Sequence, residues 1–398
     1  MFRIPLAHNV GRGQIDSMTK PISLGTARIA LSMLLLAGAT LTVAAGSISH
    51  IPFGTTKDGR DVELYTLRNS HGMTAKVMTY GAVIYSLEVP DRHGKLANIT
   101  ANRVTLADYE TRSGVFGSLI GRYANRIAGA TFQLDGKTFT LPKNAPPNHI
   151  HGGQGFDKRV WTAGIVAGRD SAGLRLTYTS MDGEEGYPGT LKCEVLYELN
   201  DRNEWKMEYT ATTDKPTVVN LCNHAYWNLA GACSGDVLGQ SIQLWADRFL
   251  EVDETLIPTG KLLPVVGTPL DFLKPHTIGE RIGEIKEKRF GGGYDHCFVI
   301  NRKEPGSLTH CATLSDPASG RTMEVWTTEP GVQIYSANMP SGTLTGPNNY
   351  PYPRHLGVCL ETQHYPDSPN HPDFPTTTLR PGETYRSTTI HKFGIRSK

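Results

Sequence analysis

Alternation of apolar and polar side chains dominates the chain after about residue 50. Residues 173–181, 190–200 and 204–213 place apolar side chains at every second position, and Asp-Gly or Asn-Asp turns separate them. Side chains two positions apart share one face of a strand, so this pattern predicts an antiparallel meander. The same pattern recurs in the runs 241–246, 296–300, 323–327, 332–336, 356–362 and 384–392.

Two segments differ from this alternation. Residues 131–141 (TFQLDGKTFTL) carry Asp135-Gly136 between two short β-prone runs, which is the composition of a tight hairpin. Residues 278–289 (IGERIGEIKEKR) alone have the charge mix and spacing of a helix, which would be short. Many short strands with Gly, Pro and Asn turns predict an all-β protein, a large antiparallel β-sandwich or barrel, rather than an α/β enzyme.

Composition limits the size of the domain and its partners. The 398 residues are 38% hydrophobic, which is ample for a globular core. No low-complexity linker, charge block or fixed-period repeat divides the chain, so we expect one domain over residues 50–398. The formal net charge of +2 is close to neutral, and nucleic acid is therefore not an expected partner.

The N-terminal segment has the composition of a signal peptide. Residues 29–45 (IALSMLLLAGATLTVAA) are apolar or small, and Lys20 and Arg28 precede them. Residues 1–45 are therefore interpreted as a signal peptide cleaved near Ala45, with Met18 as a possible true start. We expect the mature protein in a periplasm or outside the cell, without a membrane anchor.

Four clusters place ionisable or amide side chains among apolar strand residues, which costs free energy unless those groups are paired or in use. They are residues 121–127 (GRYANRI), 148–153 (NHIHGG), 220–229 (NLCNHAYWNL) and 357–372 (GVCLETQHYPDSPNHP). In the third cluster, period-2 alternation puts His224 and Tyr226 on one face. The pair fits a sugar site with a proton donor, or equally a core histidine among packing aromatics.

Glu361 follows an apolar run and precedes a polar, Pro-rich loop. Partial burial at a strand end raises the pKa of a carboxyl, which makes Glu361 a candidate general base. The alternative is a buried carboxylate paired with Arg126 or Arg354. Arg126 can grip two adjacent hydroxyls, or hold a carboxylate, through its planar fork of donors.

Metal binding is not expected. His149 and His151 form an H-x-H pair that could chelate a divalent ion, but Gly152-Gly153 end the strand and no further ligand follows at a matching spacing. The six cysteines include no C-x-x-C pair, which argues against a zinc ribbon, and their pairing as disulfides stays open.

In their order along the chain, the four clusters, Tyr294-Asp295-His296 and the run PGVQIY at 330–335 resemble the motifs of the aldose 1-epimerase family. The resemblance covers essentially the whole chain after about residue 50. It implies a β-supersandwich, neither metal nor cofactor, and an isomerase that interconverts the α and β anomers of free hexoses such as glucose and galactose. The expected partner is this small free aldose, and we expect a monomer or weak dimer.

The resemblance also implies residue roles. Glu361 looks like the general base, His224 like the general acid and His151 like a second histidine near the ring oxygen. The implied sugar-hydroxyl ligands and pocket residues are Arg126, Asp295, Gln333, Asn125 and Tyr226. This chemistry needs His224 protonated while Glu361 is ionised, which predicts a bell-shaped pH dependence. His149 has no such counterpart and is expected in a loop or at the surface.

Two other functions stay open at this point. A glycoside hydrolase also acts at the anomeric carbon and needs two carboxylates, which Asp295 and Glu361 could provide. That function would leave the two pocket histidines without a role. A non-catalytic carbohydrate-binding module would bind sugar without changing it, and the acid–base pair argues against it.

Overall fold

The computed structural model describes residues 46–111, 114–285 and 292–396. The predicted signal peptide, residues 1–45, lies outside these ranges, so it stays a prediction together with the boundaries of the domain. No helix within the described ranges is long and apolar enough to cross a membrane.

Short strands follow one another along the described chain. In chain order they are β1 (Ser47–Thr55), β2 (Asp61–Arg68), β3 (Thr74–Met78), β4 (Val83–Pro90), β5 (Leu96–Asn98), β6 (Leu119–Ile120), β7 (Arg126–Ile127), β8 (Thr131–Leu134), β9 (Lys137–Thr140), β10 (His149–Ile150), β11 (Thr162–Ala167), β12 (Ser171–Ser180), β13 (Leu191–Asn200), β14 (Glu204–Thr213), β15 (Thr217–Val218), β16 (Cys222–Asn223), β17 (Ser241–Leu244), β18 (Arg248–Val252), β19 (Pro258–Pro264), β20 (His276–Thr277), β21 (Asp295–Val299), β22 (Thr309–Ser315), β23 (Arg321–Thr327), β24 (Gly331–Tyr335), β25 (Cys359–Gln363), β26 (Thr378–Leu379) and β27 (Tyr385–Ile395). A six-residue α-helix, α1, spans Leu106–Thr111, where the sequence pattern predicted none.

The largest sheet has nine strands in the order β11-β12-β13-β14-β27-β23-β22-β17-β20, and neighbouring strands are antiparallel. The predicted meander corresponds to β12, β13 and β14 and is confirmed. Along β13 every second side chain from Leu191 to Leu199 is buried, while those between them are partly or fully exposed. The alternation follows from a sheet with one covered face.

Two five-stranded antiparallel sheets supply the rest of the sandwich. One contains β1 to β5 in sequence order, and the other has the order β19-β18-β21-β24-β25. All three sheets contribute to one hydrophobic cluster, as Val77 of β3, Val195 of β13 and Ile334 of β24 illustrate. Burying an aliphatic side chain of this size contributes about 1.5–3 kcal/mol. The predicted all-β sandwich class is confirmed.

The hairpin predicted at residues 131–141 is confirmed as β8 and β9. Its turn residues Asp135 and Gly136 have φ values of 50° and 74°. Positive φ at both central residues is what a tight hairpin turn of the I′ type requires.

The helix predicted over residues 278–289 is wrong in its described part, 278–285. This stretch contains one 3-10 turn, Ile282–Glu284, and buries Ile278 and Ile285 in the shared core. The backbone N–H of Ile278 donates to the carbonyl of Gln240, so tertiary contacts replace a helical hydrogen-bond ladder. Residues 286–291 lie outside the described ranges.

Candidate active site

A pocket of about 560 Å³ gathers side chains from segments that are far apart in the sequence. Pockets of this size hold small organic ligands. Seven of the eight predicted site residues line it, namely Asn125, Arg126, His151, His224, Tyr226, Asp295 and Glu361. The eighth, Gln333, is buried and contacts the lining residue Asp295.

Glu361 lies in the middle of β25, opposite Gln333 of β24. Strand geometry therefore fixes the face of the sheet on which its side chain lies. The side chain is 2% exposed. Its Oε1 lies 3.4 Å from Nε2 of His224, and its Oε2 accepts a hydrogen bond from Sγ of Cys222 at 3.6 Å. Burial, and after it the charge of Asp295, raises the pKa of Glu361 to about 8.

His224 follows β16 in an extended segment that two backbone hydrogen bonds hold. Its N–H donates to the carbonyl of Ser118, and its carbonyl accepts from the N–H of Gly117. Its ring Nδ1 lies 3.5 Å from Sγ of Cys359, and its ring centroid lies 5.0 Å from that of Tyr226. Burial lowers the pKa of His224 to about 4.

Together these two pKa shifts leave the pair with one proton between about pH 4 and about pH 8. Burial favours that proton on Glu361, with His224 neutral. The arrangement expected for catalysis, an imidazolium facing a carboxylate, contains the same number of protons. One proton transfer between Oε1 and Nε2 therefore separates the two states.

His151 follows β10, whose pairing with β7 brings the NHIHGG cluster against the GRYANRI cluster. Its ring Nδ1 accepts the backbone N–H of Asn125 at 3.2 Å, so a neutral His151 carries its proton on Nε2. His151 and Asn125 have φ values of 52° and 60°. Left-handed backbone is costly for such residues and persists where surrounding contacts hold it, which is common at functional sites.

Glycine is required where these two clusters touch. A Cβ atom at Gly152 would lie 2.0 Å from the carbonyl oxygen of Gly121, and one at Gly121 would lie 2.3 Å from Cδ2 of Phe156. Because no side chain fits at either position, the two glycines allow the close backbone contact that places His151 beside Asn125.

Asp295 begins β21 at the pocket wall, where two side chains hold it. Arg126 donates from Nη2 to Oδ2 at 3.2 Å, and Gln333 donates from Nε2 to Oδ1 at 2.6 Å. Arg126 thus pairs with Asp295, and the alternative in which Arg126 neutralises Glu361 is not the observed arrangement. Gln333 is buried and touches Asp295, so its direct contact with a sugar hydroxyl stays a prediction.

Several lining residues were not predicted, most of them apolar. They are Val115, Ala145, Ile150, Tyr335, Met339 and Pro340. Tyr335 lies two residues after Gln333, so alternation along the PGVQIY run could have indicated it. Cys222 and Cys359 were also missed, because buried thiols in strands are ordinary core residues.

His149 corrects the expectation of a loop or surface position. It begins β10, is fully buried, and donates from Nδ1 to the carbonyl of Pro142 at 2.7 Å. Burial lowers the pKa of His149, so it is a neutral core histidine. The expectation was wrong because the ring of Tyr187 packs edge-on against that of His149, with centroids 5.6 Å apart, in a contact between distant segments.

The ligand atoms of His151, His224 and Glu361 lie within 4.8 Å of one another. Two imidazoles and a carboxylate can bind zinc in proteins. Here Nδ1 of His151 already accepts the N–H of Asn125, so the other ring nitrogen is protonated in the neutral form and offers no lone pair to a metal. The hydrogen bonds around the three side chains therefore favour proton transfer over metal ligation.

Comparison with known proteins identifies the family of this chain. The sequence model of the family described as aldose 1-epimerase matches residues 63–392. The chain is 42% identical to the galactose mutarotase of Rattus norvegicus, covering 88% of this chain and 99% of the relative. It is 38% identical to the aldose 1-epimerase of Escherichia coli (strain K12), covering 84% and 96% respectively.

A solved structure shows the same fold. The crystal structure of galactose 1-epimerase from Lactobacillus acidophilus NCFM superposes with a TM-score of 0.78 at 29% identity, covering 88% of this chain and 99% of that one. The predicted galactose mutarotase-like sandwich is therefore confirmed. On the match over residues 63–392 and the identity to these relatives, the chain belongs to the aldose 1-epimerase family of isomerases.

Proposed function

We propose that the protein interconverts the α and β anomers of free hexoses such as glucose and galactose, with Glu361 as general base and His224 as general acid. The supporting observation is the 3.4 Å between Oε1 of Glu361 and Nε2 of His224 inside the pocket. The oxygens O1 and O5 of a pyranose are bonded to the same carbon, so a base and an acid that act on them must lie side by side.

The reaction moves two protons and breaks one ring bond. Glu361 takes the proton of the O1 hydroxyl while His224 gives a proton to O5, and the C1–O5 bond breaks to leave a free aldehyde. Rotation about C1–C2 presents the other face of the carbonyl. The transfers then run in reverse and close the ring as the other anomer, with the protein returned to its starting state.

Burial makes Glu361 a stronger base and His224 a stronger acid. A carboxylate whose pKa is about 8 is a stronger base than an exposed one, and an imidazolium whose pKa is about 4 is a stronger acid. Ring opening converts this charged pair into the neutral pair that burial favours. Each positioned group of this kind supplies roughly 10²–10⁴-fold in rate.

The remaining pocket residues suit the binding of hydroxyl groups. Arg126 and Asp295 hold each other at 3.2 Å and offer donors and an acceptor at the wall. His151 offers its Nε2–H near the ring oxygen, and Asn125 and Tyr226 complete the lining. Gln333 holds Asp295 at 2.6 Å, and its own contact with a sugar hydroxyl remains a prediction.

A glycosidase gains no support from the site. Its second carboxylate would be Asp295, whose two oxygens already accept hydrogen bonds from Arg126 and Gln333. Both oxygens of Asp295 are thus engaged within the wall, and a glycosidase would leave His224, 3.4 Å from Glu361, without a role. A nitrophenyl glycoside should therefore remain uncut.

The test is the rate of mutarotation of fresh α-D-glucose and α-D-galactose, followed by polarimetry. We expect Glu361→Gln to lower kcat by about 10²-fold or more. Asp157→Asn is the matched control, because Asp157 is also a buried carboxyl with a pKa raised by burial but does not line the pocket. Near-normal turnover by Glu361→Gln would refute the assignment.

Export is a second part of the proposal. The basic and apolar composition of residues 1–45 supports a cleaved signal peptide and a periplasmic or secreted enzyme. Cell fractionation and mass spectrometry of the mature N-terminus test it, and a full-length cytoplasmic protein would contradict it. Size-exclusion chromatography with light scattering tests the expected monomer or weak dimer.

A further inference from the structure

Two buried thiols flank the acid–base pair on the sides that face away from its shared contact. Cys222 and Cys359 are both fully buried. We propose that they are positioning residues, which hold the outer atoms of Glu361 and His224 so that only the proton between Oε1 and Nε2 can move. This inference rests on the proposed function, in which that proton is the one transferred.

The four side chains form a continuous chain of polar contacts. Sγ of Cys222 donates to Oε2 of Glu361 at 3.6 Å, and Oε1 of Glu361 lies 3.4 Å from Nε2 of His224. Nδ1 of His224 lies 3.5 Å from Sγ of Cys359. Each carboxyl oxygen of Glu361 and each ring nitrogen of His224 therefore has one polar contact within this series of four side chains.

The contact at Cys359 determines which nitrogen of His224 exchanges its proton. If Nδ1–H donates to Sγ, Nδ1 keeps its proton and Nε2 alone gains and loses one. When the shared proton lies on Glu361, Oε1–H donates to Nε2 of His224, so the neutral ring carries its own proton on Nδ1. This leaves Nε2 as the ring atom that exchanges a proton at the pocket.

The contact with Cys222 determines which oxygen of Glu361 acts as the base. Its S–H donates to Oε2 and stabilises a carboxylate on that side, so Oε1 is left as the basic atom. Burial raises the pKa of both thiols well above the ordinary value, so each thiol keeps its proton throughout the working range. The two thiols therefore do not exchange protons with Glu361 or His224.

His151 is held in the opposite tautomer. Its Nδ1 accepts a backbone N–H from Asn125, so its Nε2 is a permanent donor and not an exchanging acid. The two pocket histidines differ because Nδ1 of His151 contacts a backbone donor, whereas Nδ1 of His224 contacts a sulfur. The group that contacts Nδ1 therefore determines whether the histidine exchanges a proton at Nε2, as His224 does, or only donates from it, as His151 does.

Substitution of either cysteine leaves the other titratable groups around Glu361 and His224 in place. Those that face His224 or Glu361 are His151, Tyr226, Tyr335, Asp295, Arg126 and Cys297. Any shift in the pH profile of a Cys222 or Cys359 variant therefore reports the thiol that was removed.

The experiment compares Cys359→Ala, Cys359→Ser and Cys222→Ala in the full chain. Cys311→Ala is the control, because Cys311 is equally buried but lies in β22 of the nine-stranded sheet, whereas Glu361 lies in β25 of another sheet. For Cys359→Ala we expect kcat to fall about fivefold with KM unchanged, the size of one lost hydrogen bond. Cys359→Ser keeps an acceptor for Nδ1–H and should remain within about twofold of wild type.

The two alanine variants should move opposite limbs of the pH–rate profile. Loss of an acceptor disfavours the imidazolium, so the ascending limb moves to lower pH in Cys359→Ala. Loss of a donor disfavours the carboxylate, so the descending limb moves to higher pH in Cys222→Ala. Unmoved limbs, or equal losses in the Ala and Ser variants at 359, would overturn the inference.

A measurement without turnover separates this inference from the proposed function. Long-range ¹H–¹⁵N spectra at neutral pH, with His224→Gln for assignment, should show Nδ1 protonated and Nε2 unprotonated at His224. A protonated Nε2 in the neutral ring would overturn the role of Cys359 whether or not the protein accelerates mutarotation. A wild-type protein without mutarotase activity would instead refute the proposed function.

Discussion

Nε2 of His224 lies 3.4 Å from Oε1 of Glu361, and their side chains are 4% and 2% exposed. At such burial each group resists its charged form, so the pair titrates as a unit. The sandwich brings His224, which follows β16, against Glu361 of β25, although the two lie 137 positions apart in the chain (361 − 224). We expect the single proton that they share to set the pH dependence of mutarotation.

Mutarotation should follow a bell-shaped pH profile. The rate should rise as pH passes about 4, where the pair loses its second proton, and fall as pH passes about 8, where it loses the last one. Initial rates by polarimetry, corrected for the uncatalysed reaction in each buffer, check this. A rate that still increases well above pH 8 would contradict the shared-proton arrangement.

Asp295→Asn should change both affinity and pH dependence. After burial, the charge of Asp295 is the next cause of the raised pKa of Glu361, so its removal should move the descending limb to lower pH. Arg126 also loses its carboxylate partner, and we expect KM to rise about tenfold. Complete pH profiles of kcat and KM test this, and a limb that moves to higher pH would oppose it.

Glu361→Gln should stabilise the fold while it abolishes activity. A carboxyl whose pKa rises from 4.5 to about 8 on folding favours the native state only in its protonated form. Its contribution is therefore full below about pH 4.5 and is lost as pH rises towards 8. We expect Tm of the variant to exceed that of wild type by about 2 °C or more at pH 8, with a smaller difference at pH 5.

Equal Tm differences at the two pH values would contradict this account of Glu361. Asp157→Asn again serves as a comparison, since it removes a buried carboxyl that does not face His224.

Gly152→Ala should destabilise the protein and displace His151. A methyl group at this position would lie 2.0 Å from the carbonyl oxygen of Gly121, in a backbone with φ of 74°. We expect a loss of about 3 kcal/mol or more, from the left-handed backbone together with the clash. Urea denaturation measures it, and kcat should fall with it.

Gly136→Ala is the matched control for this change. Gly136 has the same φ of 74°, but a Cβ atom there meets nothing within 4 Å. It should cost about 1 kcal/mol, the backbone penalty alone. Similar losses in both variants would mean that the contact with Gly121 is not required.

Local patterns in the sequence predicted much of the architecture. The alternation over β12, β13 and β14 and the Asp135-Gly136 turn are short-range features, because strand faces and turn conformations depend on neighbouring residues. The same alternation placed His224 and Tyr226 in one pocket. The helix expected over 278–289 is wrong in its described part, 278–285, because the burial of Ile278 and Ile285 in the core outweighs a weak local preference.

The sequence by itself determined the β-rich class, the family and seven of the residues that meet in the pocket, since these follow from periodicity and from motifs that are continuous in the chain. Only the tertiary structure decided that Gln333 binds Asp295, that His149 is buried, and that two thiols end the chain of contacts through Glu361 and His224. Contacts between distant strands and the removal of water produce these features, as they do the opposite pKa shifts of the acid and the base.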